Sequence, residues 1–200
     1  MTTLLQINTS IHAHQGQSSR LSAAFVEAFK RARPDARIVL RDLALEPVPH
    51  LSAERFAAFL ATPDQRTSAQ RAVSEYSDRL IAELKHADVI VLGLPMYNFG
   101  VPSQLKAYFD HIARAGETFR YSAAGPVGLL RDKKAYVFAT RGGLYAGTAL
   151  DTQTVYVRDF LRFIGIEDIE FVYAEGLAIS PQSKASGLAR ATEQIARLAA

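Results

Sequence analysis

The residues of this chain that could do chemistry gather in three short polar segments. The first runs Asn8-Thr9-Ser10-Ile11-His12-Ala13-His14-Gln15-Gly16-Gln17-Ser18-Ser19 and opens an amphipathic stretch. Ser18 or Ser19 is the expected N-cap of a helix there. A helix N-terminus offers free amide donors and partial positive charge, which suits a phosphate. The hydroxyls of Ser10 and Ser18 and the amide of Gln17 add donors, and Gly16 allows close backbone approach. An ordinary polar turn with a capping serine is the competing reading. The second segment is Pro95-Met96-Tyr97-Asn98-Phe99-Gly100-Val101-Pro102. Two aromatics and a methionine could wall a planar ring, while Asn98 offers a donor and an acceptor beside it. A flavin needs that mixture; packing under the loop would use the same aromatics. The third is Thr140-Arg141-Gly142-Gly143-Leu144-Tyr145, where paired glycines permit close approach of a ligand or merely a turn.

Missing motifs narrow the chemistry. The chain has no G-x-G-x-x-G, although Asp42 stands where a ribose-binding acid could lie. It has no G-x-x-x-x-G-K-[ST] and no G-x-S-x-G. No acidic cluster follows the first apolar run, as a phosphoacceptor would need. His12 and His14 form an H-x-H, but no carboxylate or thiolate at ligand spacing accompanies them, so no metal is assigned. Tyr108, Phe109 and His111 sit at helical spacing and read as core or dimer packing.

The elements that must position these segments are legible in the periodicity. Leu4–Ile7, Ile38–Leu40, Val89–Leu94, Ala135–Ala139 and Ile169–Tyr173 read as strands. Leu21, Ala24, Phe25, Ala28 and Phe29 mark a helix that ends before Pro34. Residues 52–85 read as two helices broken near Pro63. Further helices follow Pro102, cover 152–164 and begin near Pro181. The order β-α-β-α-α-β-α-β-α-β-α implies an α/β fold: a doubly wound, five-stranded parallel sheet, order 2-1-3-4-5, with helices on both faces. In that order the loops after strands 1, 3 and 4 are neighbours at the carboxyl end, where such sheets bind ligands.

The chain has 200 residues, 48% of them hydrophobic and 22% charged, which suits a single domain over residues 1–200 with its own core. Cysteine is absent, which removes disulfides and thiol nucleophiles and fits a cytoplasmic setting. Net charge is +3 from scattered basic residues, so nucleic acid is a poor partner. Apolar runs are too short to span a membrane, and the N-terminus reads as a first strand instead of a signal peptide.

The chain resembles the FMN-dependent NADH azoreductases, which are also quinone reductases with a flavodoxin-like fold. The resemblance rests on Ser10 with Gln17-Ser18, Pro95-Met96-Tyr97-Asn98-Phe99, Ala113-Arg114-Ala115-Gly116, Thr118-Phe119-Arg120-Tyr121, Arg141-Gly142-Gly143 and Phe163-Ile164-Gly165-Ile166. It implies that Ser10, Gly16, Gln17 and Ser18 form the FMN phosphate loop. It implies that Pro95, Met96, Tyr97, Asn98 and Phe99 hold the isoalloxazine, and that Thr140, Arg141, Gly142 and Gly143 run along its polar edge. It further implies a homodimer with sites at the subunit interface, and Tyr121 and Phe163 as walls of the substrate pocket. NADH or NADPH would reduce the bound FMN, and a quinone or azo compound would then be reduced at the same place, in a ping-pong cycle with no catalytic side chain. A serine is common in that family where Gly16 and Thr140 stand. A non-enzymatic FMN electron carrier and a hydrolase on the same fold are the competing functions.

Overall fold

Alternation along each central strand sorts the apolar residues onto two faces. Leu4 and Leu5 are both fully buried, yet Leu4 packs with Phe25, Phe29, Val91 and Ile195, whereas Leu5 packs with Leu80, Leu84, Leu92 and Tyr108. Val137 and Phe138 divide in the same way. A sheet buried on both faces needs helices on both, and the computed structural model, which describes residues 1–199, supplies them. Residue 200, the last of the expected domain, lies outside the described residues.

In chain order the elements are β1 (Thr3–Asn8), α1 (Gln17–Ala32), β2 (Arg37–Asp42), α2 (Ala53–Leu60), α3 (Ser68–His86), β3 (Val89–Pro95) and α4 (Ser103–Ile112). There follow β4 (Phe119–Ser122), β5 (Gly125–Gly128), β6 (Lys134–Thr140), α5 (Thr152–Phe163), β7 (Asp168–Ala174) and α6 (Pro181–Leu198). The main sheet is parallel with order β2-β1-β3-β6-β7, the order expected from the sequence. Among the described residues, no helix is long and apolar enough to cross a membrane.

Register fixes the site. Asn8 lies level with Gly93, and Pro95 lies level with Thr140, so β1, β3 and β6 end side by side. Gly93 matters because a Cβ there would meet the Ser18 carbonyl at 3.2 Å; its absence lets the first turn of α1 sit on β3. A buried cluster of Gln6, Asn8 and Ser22, with contacts of 3.1–3.2 Å, ties the same turn to β1.

Two features depart from the sequence reading. The N-cap of α1 is Gly16, in extended conformation, not Ser18 or Ser19, which lie within the first turn. The physical reason is that the turn at Ala13–Gln15 leads straight into the helix, so the Gly16 carbonyl already accepts the Arg20 N–H at 2.9 Å; with Ser10 placed as it is, a Cβ on residue 16 would stand 2.2 Å from the Ser10 hydroxyl. The second is an antiparallel hairpin, β4–β5, between α4 and β6. It docks on the end of α5 by backbone: a Cβ on Gly128 would stand 2.1 Å from the Gly165 nitrogen, and the Leu130 N–H donates to the Ile164 carbonyl at 2.9 Å. Tyr108, Phe109 and His111 are buried in the core as expected, and Asp42 caps its own turn by accepting the Ala44 N–H at 3.0 Å.

Candidate active site

The three polar segments converge at the carboxyl end of the sheet on one cleft with a cavity of about 170 Å³. Ser10, Gly16 and Gln17 line it from the first segment; Pro95, Met96 and Tyr97 from the second; Thr140, Arg141 and Gly142 from the third. His12 and Leu177 complete it. Neither was singled out for this place by the sequence. Ser18 is buried beneath the first turn of α1, Gly143 borders the third segment, and Asn98 and Phe99 stand exposed at the rim.

The first segment presents donors. The first intrahelical bond of α1 is Arg20 N–H to the Gly16 carbonyl at 2.9 Å, so the N–H groups of Gln17, Ser18 and Ser19 precede it and have no helical acceptor. The hydroxyls of Ser18 and Ser19 are buried and meet no partner among the described residues. Ser10 Oγ accepts from the His12 N–H at 3.2 Å and lies 3.3 Å from the Tyr97 hydroxyl, which also accepts from the Ile11 N–H. Tyr97 thereby closes the second segment over the first.

The second segment turns tightly. Tyr97 and Gly100 exchange both backbone hydrogen bonds, at 3.1 and 2.9 Å, around Asn98 and Phe99. Both central residues are left-handed, with φ of 49° and 62°. Asn tolerates this conformation; Phe does so at a steric cost. What offsets that cost comes from α5. The Gln153 side-chain amide donates to the carbonyls of Pro95 and Gly100 at 2.8 and 3.3 Å, and Thr152 Oγ1 donates to that of Phe99. Phe99 also meets Tyr145 edge-on, with centroids 5.7 Å apart.

The third segment is braced from inside. Arg141 lines the cleft, while its guanidinium is turned into the protein and is fully buried. It donates to Asp151 at 2.7 Å, to Thr154 Oγ1 at 2.8 Å and to Glu175 at 3.2 Å, and lies 5.0 Å from the Tyr173 ring centroid. Glu175 in turn accepts the N–H groups of Tyr145 and Ala146, both at 2.9 Å. Burial by itself would raise the Asp151 carboxyl; hydrogen bonds from Arg141 and Thr154 outweigh it and hold the group below its ordinary value. The carbonyls of Arg141, Gly142 and Gly143 accept from Leu177, Ala178 and Gly176 at 2.9–3.1 Å. The segment therefore turns its acceptors inward, and the N–H groups of Gly142 and Gly143 remain without a partner among the described residues.

The expected pocket walls lie elsewhere in the single chain. Tyr121 is 76% exposed on the hairpin. It packs edge-on against Phe119, which packs against Phe163 with centroids 4.4 Å apart. Sequence reasoning missed Asp151, Gln153 and Thr154 because polar residues at the start of a helix read simply as caps, and it missed Glu175 because a lone acid after the last strand reads as a solvated loop residue.

Known proteins resemble this arrangement throughout. A family model described as flavodoxin-like fold matches residues 2–199. An FMN-dependent NADH:quinone oxidoreductase from Cellvibrio japonicus is 54% identical over 190 residues, 95% of this chain and 96% of that protein. Among solved structures, an azoreductase from Bacillus anthracis superposes with a TM-score of 0.91 at 28% identity, over 100% of this chain and 99% of its own. An FMN-dependent NADH-azoreductase from the same species, in complex with FMN, gives 0.88 at 28% identity over the whole of both chains.

Proposed function

The chain belongs to the flavodoxin-like fold family, and we propose that within it the protein is an FMN-dependent oxidoreductase that uses NADH or NADPH to reduce quinones and azo compounds. The observation that carries this reading is the convergence of a donor-rich helix start, an apolar and aromatic turn, and a glycine pair on one cleft. Curated relatives at 50–54% identity, matched over 96–99% of their length, are FMN-dependent NADH:quinone oxidoreductases.

The residues present fit FMN. The free N–H groups of Gln17, Ser18 and Ser19, with the two unpartnered serine hydroxyls, make the donor set a phosphate dianion takes. Met96 and Tyr97 offer apolar contact to the ring. The N–H groups of Gly142 and Gly143 offer donors to its pyrimidine edge, and the backbone of Arg141 lies beside them. Asn98 and Phe99 stand at the rim, and Thr140 and Pro95 form the floor. When bound, FMN would supply the redox chemistry, taking a hydride from reduced nicotinamide and passing it to the acceptor, with the further proton drawn from water or a pocket hydroxyl such as that of Tyr121. The chain's own residues bind, orient and exclude solvent, and no side chain is assigned as a nucleophile.

A cavity of about 170 Å³ is smaller than the roughly 300–1,000 Å³ of small-molecule pockets. A second subunit would complete it. Ile11, Phe99, Leu144 and Val155 are each more than half exposed around this end of the sheet, which favours a homodimer with sites at its interface. Tyr121 and Phe163 would then serve as pocket walls, Phe163 from the second subunit. Residues 1–200 act as one unit in this scheme, and a cysteine-free chain that consumes reduced nicotinamide suits the cytoplasm.

One cleft implies that nicotinamide and acceptor occupy it in turn. Initial rates against quinone at several NADH levels are expected to give parallel double-reciprocal lines, the mark of a ping-pong cycle. Intersecting lines would contradict the shared cleft. Failure of both nicotinamides to bleach the yellow protein would leave a non-enzymatic FMN carrier as the better reading. Titration separates the phosphate assignment: riboflavin should bind more weakly than FMN by at least about 1.5–3 kcal/mol, the value of one charge-assisted bond. Equal affinities would remove Ser10, Gln17 and Ser18 from the site.

A further inference from the structure

We propose that the first turn of α5 is a positioning element that holds the two ring-facing loops in register and so sets how tightly, and at what potential, the flavin is held. The flavin part rests on the reading above. Four consecutive side chains divide evenly between the loops. Thr152 and Gln153 take the carbonyls of Phe99, Pro95 and Gly100, and Asp151 and Thr154 take the Arg141 guanidinium. None of the four lines the cleft itself. They act through the loops and are positioning residues, not catalytic ones.

Asn98 and Phe99 would relax from φ of 49° and 62° if nothing opposed them. With one buried amide Gln153 binds the carbonyl of Pro95, two residues before the turn, and that of Gly100 at its end, and Thr152 binds the Phe99 carbonyl between them. With these acceptors drawn towards α5, the turn keeps the N–H groups of Asn98 and Phe99 without a protein partner among the described residues. The same division is seen at the third loop, where the carbonyls face inward and the glycine N–H groups stay free. Asp151 does two jobs at once: it caps α5 by accepting the Thr154 N–H at 3.0 Å, and it receives Arg141. A shift of this helical turn therefore moves both loops together. The Met96 N–H to Thr140 carbonyl bond, 2.9 Å, is the direct tie between them.

The test uses Gln153→Leu and the exposed, fold-safe Thr152→Val, with Thr152→Ser as the conservative rescue. Amide hydrogen exchange is measured on the full chain without added flavin. Gln153→Leu should speed exchange about tenfold at the bonded amides of the two loops, those of Met96, Tyr97 and Gly100 and also those of Tyr145 and Ala146, with β1 and β3 unchanged, as expected for losing bonds worth about 1 kcal/mol. Thr152→Val should act in the same direction and more weakly, and Thr152→Ser should restore the wild-type pattern. FMN titration and potentiometry on the same proteins should show about tenfold weaker binding for Gln153→Leu and a displaced midpoint potential. Faster exchange confined to 96–100 would overturn the coupling of the loops. Wild-type affinity and potential in both Gln153→Leu and Thr152→Val would overturn the positioning role. Should the wild-type chain itself fail to bind FMN, the cofactor reading falls, while the exchange data still decide whether the turn couples the loops.

Discussion

The two ends of the central sheet both carry cavities, and they differ in kind. The amino end holds the roomier one, about 550 Å³, bordered by Asp88, Lys133, Lys134 and Asp168. Several of its charged groups are met locally: Lys134 pairs with Asp168 at 2.5 Å, Lys133 donates to the carbonyls of Lys85 and Ala87, and Asp88 accepts the Thr3 N–H at 2.8 Å. The carboxyl end holds about 170 Å³. There, serine hydroxyls and backbone N–H groups lack protein partners, a left-handed Phe is held in place, and a buried guanidinium stands between two carboxylates. Volume alone points to the wrong end. Unmet hydrogen-bond capacity, held by a costly internal frame, is the feature on which the proposed FMN site at the carboxyl end rests.

The contrast is broken most sharply at Arg141. Arg141→Met leaves Asp151 and Glu175 buried without their cation, and should cost about 3–5 kcal/mol in urea unfolding and abolish FMN retention. A loss below about 1 kcal/mol would mean the third loop does not depend on its inner brace.

A smaller effect is expected from acid. The Asp151 carboxyl is held below its ordinary value in the fold, so its contribution is fully present above the unfolded value near 3.9 and is lost as pH falls through the lower folded one. Asp151→Asn should cost about 1.5–3 kcal/mol at pH 7. The gap to wild type should narrow below about pH 4. Parallel stability curves down to about pH 2.5 would show that Asp151 is not linked to folding in this way.

The smallest effect belongs to the amino end. Lys134→Met removes a partly exposed pair with Asp168 and should change stability by no more than about 1 kcal/mol. FMN affinity should not move. A drop in affinity comparable to that of the α5 variants would mean the two ends are not separable.

Much of this was legible from residue order. Short apolar runs separated by amphipathic stretches implied the parallel sheet, through right-handed crossovers, and its 2-1-3-4-5 order, the commonest for five such strands. That order in turn placed Ser10, Tyr97 and Thr140 on one cleft. The β4–β5 hairpin was not legible: Phe119–Ser122 and Gly125–Gly128 are four residues each, and the second contains two glycines and a proline. The N-cap of α1 was misread because serine is the better intrinsic cap, while the helix starts earlier, where the turn at Ala13–Gln15 hands the chain on to Gly16.

What the sequence determined by itself is periodicity and local chemistry: which segments are strands, which are helices, and which loops carry donors, aromatics and glycines. Those properties depend on neighbours a few residues apart. What only the tertiary structure decided is direction. Arg141 could have faced a ligand; burial beside Asp151, Thr154 and Glu175 turns it inward. Gln153 could have been a solvated first-turn residue; packing of α5 against the end of β3 makes it the partner of Pro95 and Gly100. A charged or amide group desolvated by folding must find its hydrogen bonds among whatever the fold brings near, here 10 to 58 residues away along the chain, a distance at which no local pattern speaks.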